Sequence, residues 1–404
     1  MKFLKLVVFF LVSTVIYSIV EIPVFGPRES KGELDNNEIS EASGITESKT
    51  NPGILWVHND SGNKSKIYGI DTNGVTKVVI TLNGITNRDW EDIAVGPGLK
   101  DGKSYIFIGD IGDNAAKYDL KYIYIIEEPE LNLDSSVENI TIDNEKISKV
   151  TFKYPDGARD SETLLVDPIS KNIYTVSKRD SNVRVYKIEF PYSLSKTITS
   201  EISCNLKLPV YPKPNFYPNQ LTAGDISADG SGILIKSYLS VFYWKRDTSK
   251  SLCEAFSSEP DIVEYTVEPQ GEAICWFGNN GYFTLSEERN NIPAILYYYP
   301  KQNPNGIDNK IDRKSFNLKQ NYPNPFNPGT TIEYTISAQE RETQKTLLKI
   351  FDITGQEIAT IVDELKFPGS YKENISFNNL ASGIYFYSLS IGNLNKTKKM
   401  LLLR

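Results

Sequence analysis

The chain has one histidine, two methionines and three cysteines in 404 residues. A lone histidine rules out a multi-histidine zinc or iron centre. Cys204, Cys253 and Cys275 lie far apart and without zinc-type spacing, so they allow at most one disulfide outside the cytoplasm and leave one cysteine over as a small buried hydrophobe. Basic residues are also too few for a nucleic-acid footprint: the formal net charge is -7. Cations or cationic partners suit such a chain better. The one long apolar run, Leu6 to Val20, is short for a membrane span and follows Lys2 and Lys5, which reads as a secretory signal peptide over residues 1–18. No Ala-x-Ala site marks its end, so a retained anchor is the alternative.

Tyrosine (24), phenylalanine (18), glycine (26) and proline (21) are abundant, a balance that favours pleated sheet and turns over helix. The predicted class is all-β. Short strand patterns separated by Asn/Gly/Ser/Asp clusters come in sets of about four, each opening with an acid just ahead of an apolar run: Glu41 with Ser43-Gly44-Ile45, Asp89-Trp90-Glu91-Asp92-Ile93, Asp160-Ser161-Glu162-Thr163, Gly224-Asp225-Ile226 and Gly271-Glu272-Ala273. Recurrence at about fifty residues suggests a radial β array. The fifth set lacks an outer strand, and Ile19 to Phe25 is a strand without a nearby partner, so the two ends are expected to close a ring and remove open edges. The expectation is a β-propeller over residues 19–300 with five blades, or six if Leu131 to Ile147 conceals further strands, then a polar linker over 301–315 and a small immunoglobulin-like β-sandwich over 316–404.

Strand direction sorts the loops onto two faces. One receives turn sequences only. The other receives the acidic strand starts near the axis, with the ends of the second strands around them: His58-Asn59-Asp60-Ser61, Gly109 to Asn114, Lys178-Arg179, Lys236-Ser237-Tyr238 and Glu287-Glu288-Arg289. Carboxylates crowded in one concavity repel unless they are protonated, paired or bridged by a cation. All-oxygen ligands predict Ca²⁺, or Mg²⁺, at Glu41, Asp60, Glu91, Asp110, Asp113, Glu162, Asp225 and Glu272. Pairing of these acids with Arg88, Arg159, Lys178 and Arg179 is the alternative. His58 is a candidate general base, held by Asp60 or Asp89, with Asp89 and Glu91 as catalytic carboxylates; a structural role for a histidine at a strand end is the competing reading. Lys178, Arg179, Lys236 and Arg289 are the candidate contacts to an anionic substrate. No Gly-x-Ser-x-Gly elbow is present, which disfavours a serine hydrolase.

Two resemblances add to this. Asn321 to Pro328, Leu348-Lys349-Ile350-Phe351-Asp352 with Gly355-Gln356-Glu357, Leu380 to Tyr385 and Lys398 to Leu403 run through the whole tail in order, and the tail resembles the C-terminal sorting domain of type IX secretion substrates. That resemblance implies export by the signal peptide, handling by the type IX machinery, and a place outside the cell or on its outer surface, with the tail as address and then removed. An ordinary immunoglobulin-like accessory module is the plainer reading. The segments around Trp56 to Gly62, Asn87 to Ala94, Gly109 to Asn114, Arg159 to Leu164 and Thr222 to Ser227 resemble a group of secreted bacterial propeller proteins without an assigned activity. A fainter likeness to phytase-like propellers implies Ca²⁺ on an acidic face that recruits a phosphate ester, with no residue to carry over. Two functions follow as expectations: metal-dependent hydrolysis of an anionic ester, or non-enzymatic capture of a glycan or protein.

Overall fold

The computed structural model describes residues 22–133, 137–208, 220–289, 293–302, 316–336, 344–367, 369–391 and 394–404. The signal peptide expected over residues 1–18 and most of the expected linker (303–315) lie outside them.

Five sheets carry the first three hundred residues. The first runs Ala42–Glu47, Ile54–Asn59, Lys66–Asp71, Thr76–Leu82, and the second Trp90–Pro97, Ser104–Asp110, Lys121–Glu127, Ser148–Lys153. The third is Ser161–Val166, Ile173–Ser177, Arg184–Ile188, Glu201–Asn205; the fourth is Leu221–Ile226, Gly232–Ser237, Val241–Lys245, Asp261–Val263. The fifth has Gly271–Phe277, Gly281–Ser286 and Ile295–Gln302 from its own stretch of chain. Within each set the strands are antiparallel neighbours, as the short turns between them require. The first strand of each sheet packs beside the first strand of the next, and Gly271–Phe277 returns to Ala42–Glu47, so the first strands form a closed ring.

The core explains the continuous apolar runs. Side chains alternate across a strand, and here both faces meet another sheet. Ile54 and Trp56 pack towards the second sheet with Trp90, Ile106 and Ile108. Leu55 and Val57, one residue over, pack towards the fifth with Cys275, Phe283 and Leu285. Similar apolar clusters fill the second–third, third–fourth and fourth–fifth contacts. At roughly 25 cal/mol per Å² of apolar area removed from water, this burial on two sides of every sheet is the main stabilisation of the ring.

Closure comes from the N-terminal segment. Val24–Phe25 and Glu29–Glu33 both pair antiparallel with Ile295–Gln302 and supply the outer edge of the fifth sheet. The segment expected from the sequence ends at Phe25. Most of the edge is instead Glu-Ser-Lys-Gly-Glu at positions 29–33, a polar strand on a solvent-facing edge that apolar periodicity does not reveal. The stretch from Leu131 to Ile147 builds no further sheet among the described residues. Its strand Glu138–Ile142 lies parallel against Thr76–Leu82 and covers the outer edge of the first sheet. Cys204 and Cys253 form a disulfide, and Cys275 is free and buried. Cys253 sits on the short helix Leu252–Phe256, which Ser251 and Glu254 start as a capping box. No helix among the described residues is long and apolar enough to cross a membrane.

The tail is a two-sheet sandwich. Phe316–Leu318, Gly329–Ile336 and Gly369–Ser376 form one sheet; Glu357–Lys366, Gln344–Phe351, Gly383–Ile391 and Leu394–Leu402 form the other, with Ile332, Tyr334, Leu348, Ile350, Tyr387 and Leu389 between them. Its outer face rests on the propeller: Phe351, Ile384 and Phe386 join the cluster of Val263, Tyr265 and Val267.

Candidate functional site

The first strand pair of every sheet shifts register at the same point. The breaks fall between Ala42 and Gly44, Trp90 and Asp92, Ser161 and Thr163, Leu221 and Ala223, and Gly271 and Ala273. Each break is a β-bulge, which leaves one residue unpaired and re-aims it. The five bulged residues are Ser43, Glu91, Glu162, Thr222 and Glu272, all buried at one end of the ring. Three glutamates therefore enter the same small region by backbone geometry rather than by side-chain choice alone.

Asp89 and Asp160, just ahead of two of the bulges, and Asp60, just past the second strand of the first sheet, join them. Single carboxylate oxygens of Asp60, Asp89 and Glu91 lie within 4.8 Å of one another, and so do those of Glu91, Asp160 and Glu162, with Glu91 common to both groups. Burial, then the charge of Glu162 and of Asp60, holds the Glu91 carboxyl well above the usual carboxylate range. Burial raises Asp89 as well, with Asp160 adding to it. Asp60 is pushed up to about 6 by burial, against a hydrogen bond from the Ser61 amide.

Cations divide the two groups. Lys178 is buried and donates to Glu162, and Arg179 donates to Asp160. Burial opposes charge on Lys178, yet the Glu162 and Glu272 carboxylates hold its ammonium well above the usual lysine value. Tyr238 completes this corner: its hydroxyl donates to Glu272 at 2.8 Å and accepts from Lys178 at 3.2 Å. Among the described residues no ion pair reaches Asp60, Asp89 or Glu91. Beside that group the chain passes as bare backbone. A methyl group built on Gly112 would collide with Glu91 Oε1 and sit 2.7 Å from Asp89 Oδ2.

The other sequence candidates are placed differently. Asp110 pairs with Arg88 at 2.9 Å and is pushed up to about 6, mainly by burial. Arg88 in turn lies over the rings of Tyr118 and Tyr122. Asp113 is fully engaged: its carboxylate accepts from the amides of Lys117 and Tyr118 and pairs with the buried Lys121 at 3.1 Å, a structural clamp and not an open ligand. Glu41 lies on the exposed rim and accepts from Asn63. Asp225 does not join the ring of glutamates, because the bulged residue of its strand is Thr222. Three residues further along, its carboxylate accepts from the amides of Ile226 and Trp276 at 2.8 Å each, and burial pushes it up to about 7.

His58 is fully buried, edge-on to Trp90 at 5.6 Å, with Nδ1 3.0 Å from the Asn59 carbonyl and Nε2 without a partner. Burial pushes it down to about 4, so it is neutral. Lys236 is also buried, donating to the carbonyls of Gly271 and Ser237, and burial pushes it down to about 8. Arg289 is exposed and lines a cavity between the fifth sheet and the tail; it also acts on Glu287, which feels Glu272, Asp60 and Glu41 of the acidic face.

Sequence reading missed an acid that ties the ring together. Asp92 accepts from the amides of Ile93, Leu164 and Gly224, tying the first strands of the second, third and fourth sheets together. It reads as one more acid in a run, and only the bulge at Glu91 separates their roles.

Comparison with known proteins adds the following. Residues 320–403 match the family of secretion system C-terminal sorting domains. No curated protein matches the chain. Among solved structures, a Bacteroides thetaiotaomicron protein of unknown function is 10% identical, covering 68% of this chain and 76% of its own, with a TM-score of 0.36. The Swd1 β-propeller domain of Myceliophteria thermophila is 11% identical, covering 63% and 82%, with a TM-score of 0.31. The Dos1 propeller is 8% identical, covering 77% and 92%, with a TM-score of 0.29. At these values the structural likenesses carry nothing about activity. The tail is a type IX sorting domain, which makes the protein a secreted or outer-surface propeller handled by that machinery.

Proposed function

We propose that the bulged end of the ring binds one divalent cation, Ca²⁺ before Mg²⁺, at Asp60, Asp89 and Glu91, and through it an anionic ligand. The observation that carries this reading is the contrast in compensation: Glu162 and Asp160 have direct ion pairs with Lys178 and Arg179, whereas the oxygens of Asp60, Asp89 and Glu91 converge within 4.8 Å with no ion pair among the described residues, Lys121, Arg88 and Lys178 acting on them only at longer range. The donor set is all carboxylate, the hard-oxygen chemistry of Ca²⁺ and Mg²⁺. The bare backbone at Gly112 lets the Glu91 and Asp89 carboxylates come together where a side chain would collide with them. The residues fit the ion.

When bound, such an ion polarises a phosphoryl or carboxyl oxygen and lowers the pKa of water. The side chains do the rest. Glu91 and Asp89 hold their oxygens towards one point. Lys178, locked to Glu162 and Tyr238, keeps the neighbouring acids from competing for the ion. Arg179, with 40% of its side chain exposed and φ of 66°, presents a guanidinium at the rim, where an anionic ligand would meet it.

Two outcomes of ligand capture remain in play, and one observation favours the non-enzymatic one. His58, the sequence candidate for a general base, is sealed beneath Trp90 and neutral. Capture of an anionic glycan or protein therefore stands beside hydrolysis of a phosphate ester. Calorimetry of the chain with Ca²⁺, followed by a panel of phosphate esters with Ca²⁺ present, separates them. A saturable heat that Glu91→Gln abolishes supports the site, and turnover lost in the same variant makes it catalytic. No heat and no thermal shift with Ca²⁺ or Mg²⁺ would sink the metal reading altogether. For export, deletion of residues 315–404 should hold the protein in the periplasm, and normal surface display of that truncation would refute the role of the tail.

A further inference from the structure

The seam between the propeller and the tail encloses a cavity of about 240 Å³. It is distinct from the carboxylate site and contains a residue that the face does not use, Arg289. Arg28 and Arg289 reach it from the propeller, and Lys349 from the tail. One acid lines it, Glu357, and that carboxylate is already taken by Lys349 at 2.6 Å and by the Thr360 hydroxyl at 2.6 Å. Lys349 and Glu357 offset each other, which leaves two guanidinium groups in excess, in a chain whose net charge is -7. Such a local excess is costly unless an anion balances it.

The two guanidinium groups are not spent elsewhere. Among the described residues Arg28 has no ion pair; it lies 4.3 Å over the ring of Tyr297, which fixes its plane without cancelling its charge. The acid behind it, Glu268, is buried and bonded to Thr284, outside the cavity lining. Arg289 is in the field of Glu287 but forms no ion pair among the described residues. The remaining wall is neutral and mixed: Val267, Pro269, Leu347 and Phe351 are apolar, and Gln270, Gln356 and Ser388 offer amides and hydroxyls. Planar arginine forks with neutral donors around them suit a tetrahedral oxyanion. The volume suits one such group, free or carried on a single sugar.

We infer that the seam is a composite binding site for a phosphate or sulfate group, built by Arg28 and Arg289 of the propeller with Lys349 of the tail. A ligand there touches both bodies, so it also fastens the sorting domain to its cargo. Binding and docking are linked.

Calorimetry on the chain without its signal peptide tests this, in EDTA so that the carboxylate face contributes nothing. Inorganic phosphate, sulfate and glucose 6-phosphate are the probes, with acetate as the control. Saturable binding of at least one tetrahedral anion is expected, weakened roughly tenfold or more in the double variant Arg28→Ala, Arg289→Ala. Tighter binding of the sugar phosphate than of the free ion identifies a sugar-borne group, and the reverse a free ion. In a chain nicked between residues 303 and 315 by an engineered protease site, phosphate should keep the two parts together on size exclusion, and Lys349→Ala should undo that. Absence of saturable heat with all three anions, or equal binding by the double variant, overturns the proposal. Either result leaves the Ca²⁺ reading of the carboxylate face untouched, because the chelator removes it from the assay.

Discussion

Two groups of three carboxylates share Glu91 and differ in what stands beside them. Around Glu162 and Asp160 the chain supplies its own cations, Lys178 and Arg179, together with the Tyr238 hydroxyl. Around Asp60 and Asp89 none of the described residues forms an ion pair, and the chain withdraws even the side chain at position 112. Buried charge has to be compensated. The first group is compensated from within, so it is structure; the second is left for something from outside, so it is a site. An acidic patch alone does not make that distinction, and the counter-ions do.

The largest effect should come from breaking the compensated side. Lys178→Met leaves Glu162 buried without its partner, and loss of one member of a buried pair costs about 3–5 kcal/mol. Urea unfolding should show that loss at neutral pH and a partial recovery when Ca²⁺ is added, because the orphaned glutamate then gains a cation. If the variant unfolds like the native chain, Lys178 is not the compensating charge.

Next is the cradle. Gly112→Ala places a methyl group against Glu91 Oε1 and Asp89, so Ca²⁺ affinity in calorimetry should fall by roughly tenfold or more, equivalent to about 1.4 kcal/mol. Stability without the ion should change little, since the substitution displaces two carboxylates that already repel. Undiminished affinity would place the ion elsewhere on the face.

The pH dependence sharpens the same contrast at smaller amplitude. Asp60 and Asp110 are each pushed up to about 6 in the folded protein, above their ordinary value of 3.8. The folded state then holds more protons than the unfolded one between those values, so stability is full below about 4 and is lost as pH rises through about 6. His58 runs the opposite way: pushed down to about 4 from 6.5, it removes stability as pH falls through that interval. Asp60→Asn should take away its share of the acid contribution, about 1–2 kcal/mol after allowance for partial exposure, and leave the Asp110 share and the opposing histidine slope. Unfolding curves between pH 4 and 7.5, with and without Ca²⁺, read this out. Ca²⁺ should flatten the native profile above pH 6 and leave the Asp60→Asn profile unchanged.

The ring was legible for physical reasons that can be named. Runs such as Ile54-Leu55-Trp56-Val57 face apolar neighbours on both sides, so periodic turns between apolar runs were enough to mark the sheets. The tail was legible from ordered motifs through its full length. The closing strand was not, because Glu29–Glu33 sits on a solvent-facing edge and carries no apolar pattern. In the site, residue type misled where backbone geometry decides. Asp225 was grouped with Glu91 as an acid just ahead of an apolar run, but the bulge in its strand falls at Thr222, three residues earlier, and the aspartate accepts from the amides of Ile226 and of Trp276 in the fifth sheet instead. Arg289 and Lys236 were grouped with Lys178 by position at the ends of strands, yet one faces the seam and the other is buried under Gly271. A bulge shared by five strands is invisible in a single strand. It becomes readable once the five starts are aligned on their small or apolar residue at the first position: Ala42, Trp90, Ser161, Leu221 and Gly271.

The smallest expected effect is also the most discriminating about where the two groups divide. Arg179 pairs with Asp160, but 40% of its side chain is exposed, so solvent already screens the pair and Arg179→Ala should cost less than about 1 kcal/mol in urea unfolding. Its consequence for the ion differs from that of Lys178→Met. Asp160 loses its partner while Glu162 keeps Lys178, so the first group is left with one uncompensated carboxylate and not two. Ca²⁺ stoichiometry in calorimetry should therefore stay at one. Affinity should rise slightly, because the freed charge of Asp160 adds to the field that Asp89 already feels. A second equivalent of Ca²⁺ in Arg179→Ala would mean that the exposed arginine, and not the buried lysine, keeps the Asp160 group closed to metal. The division between structure and site would then run through the rim of the face rather than through its interior.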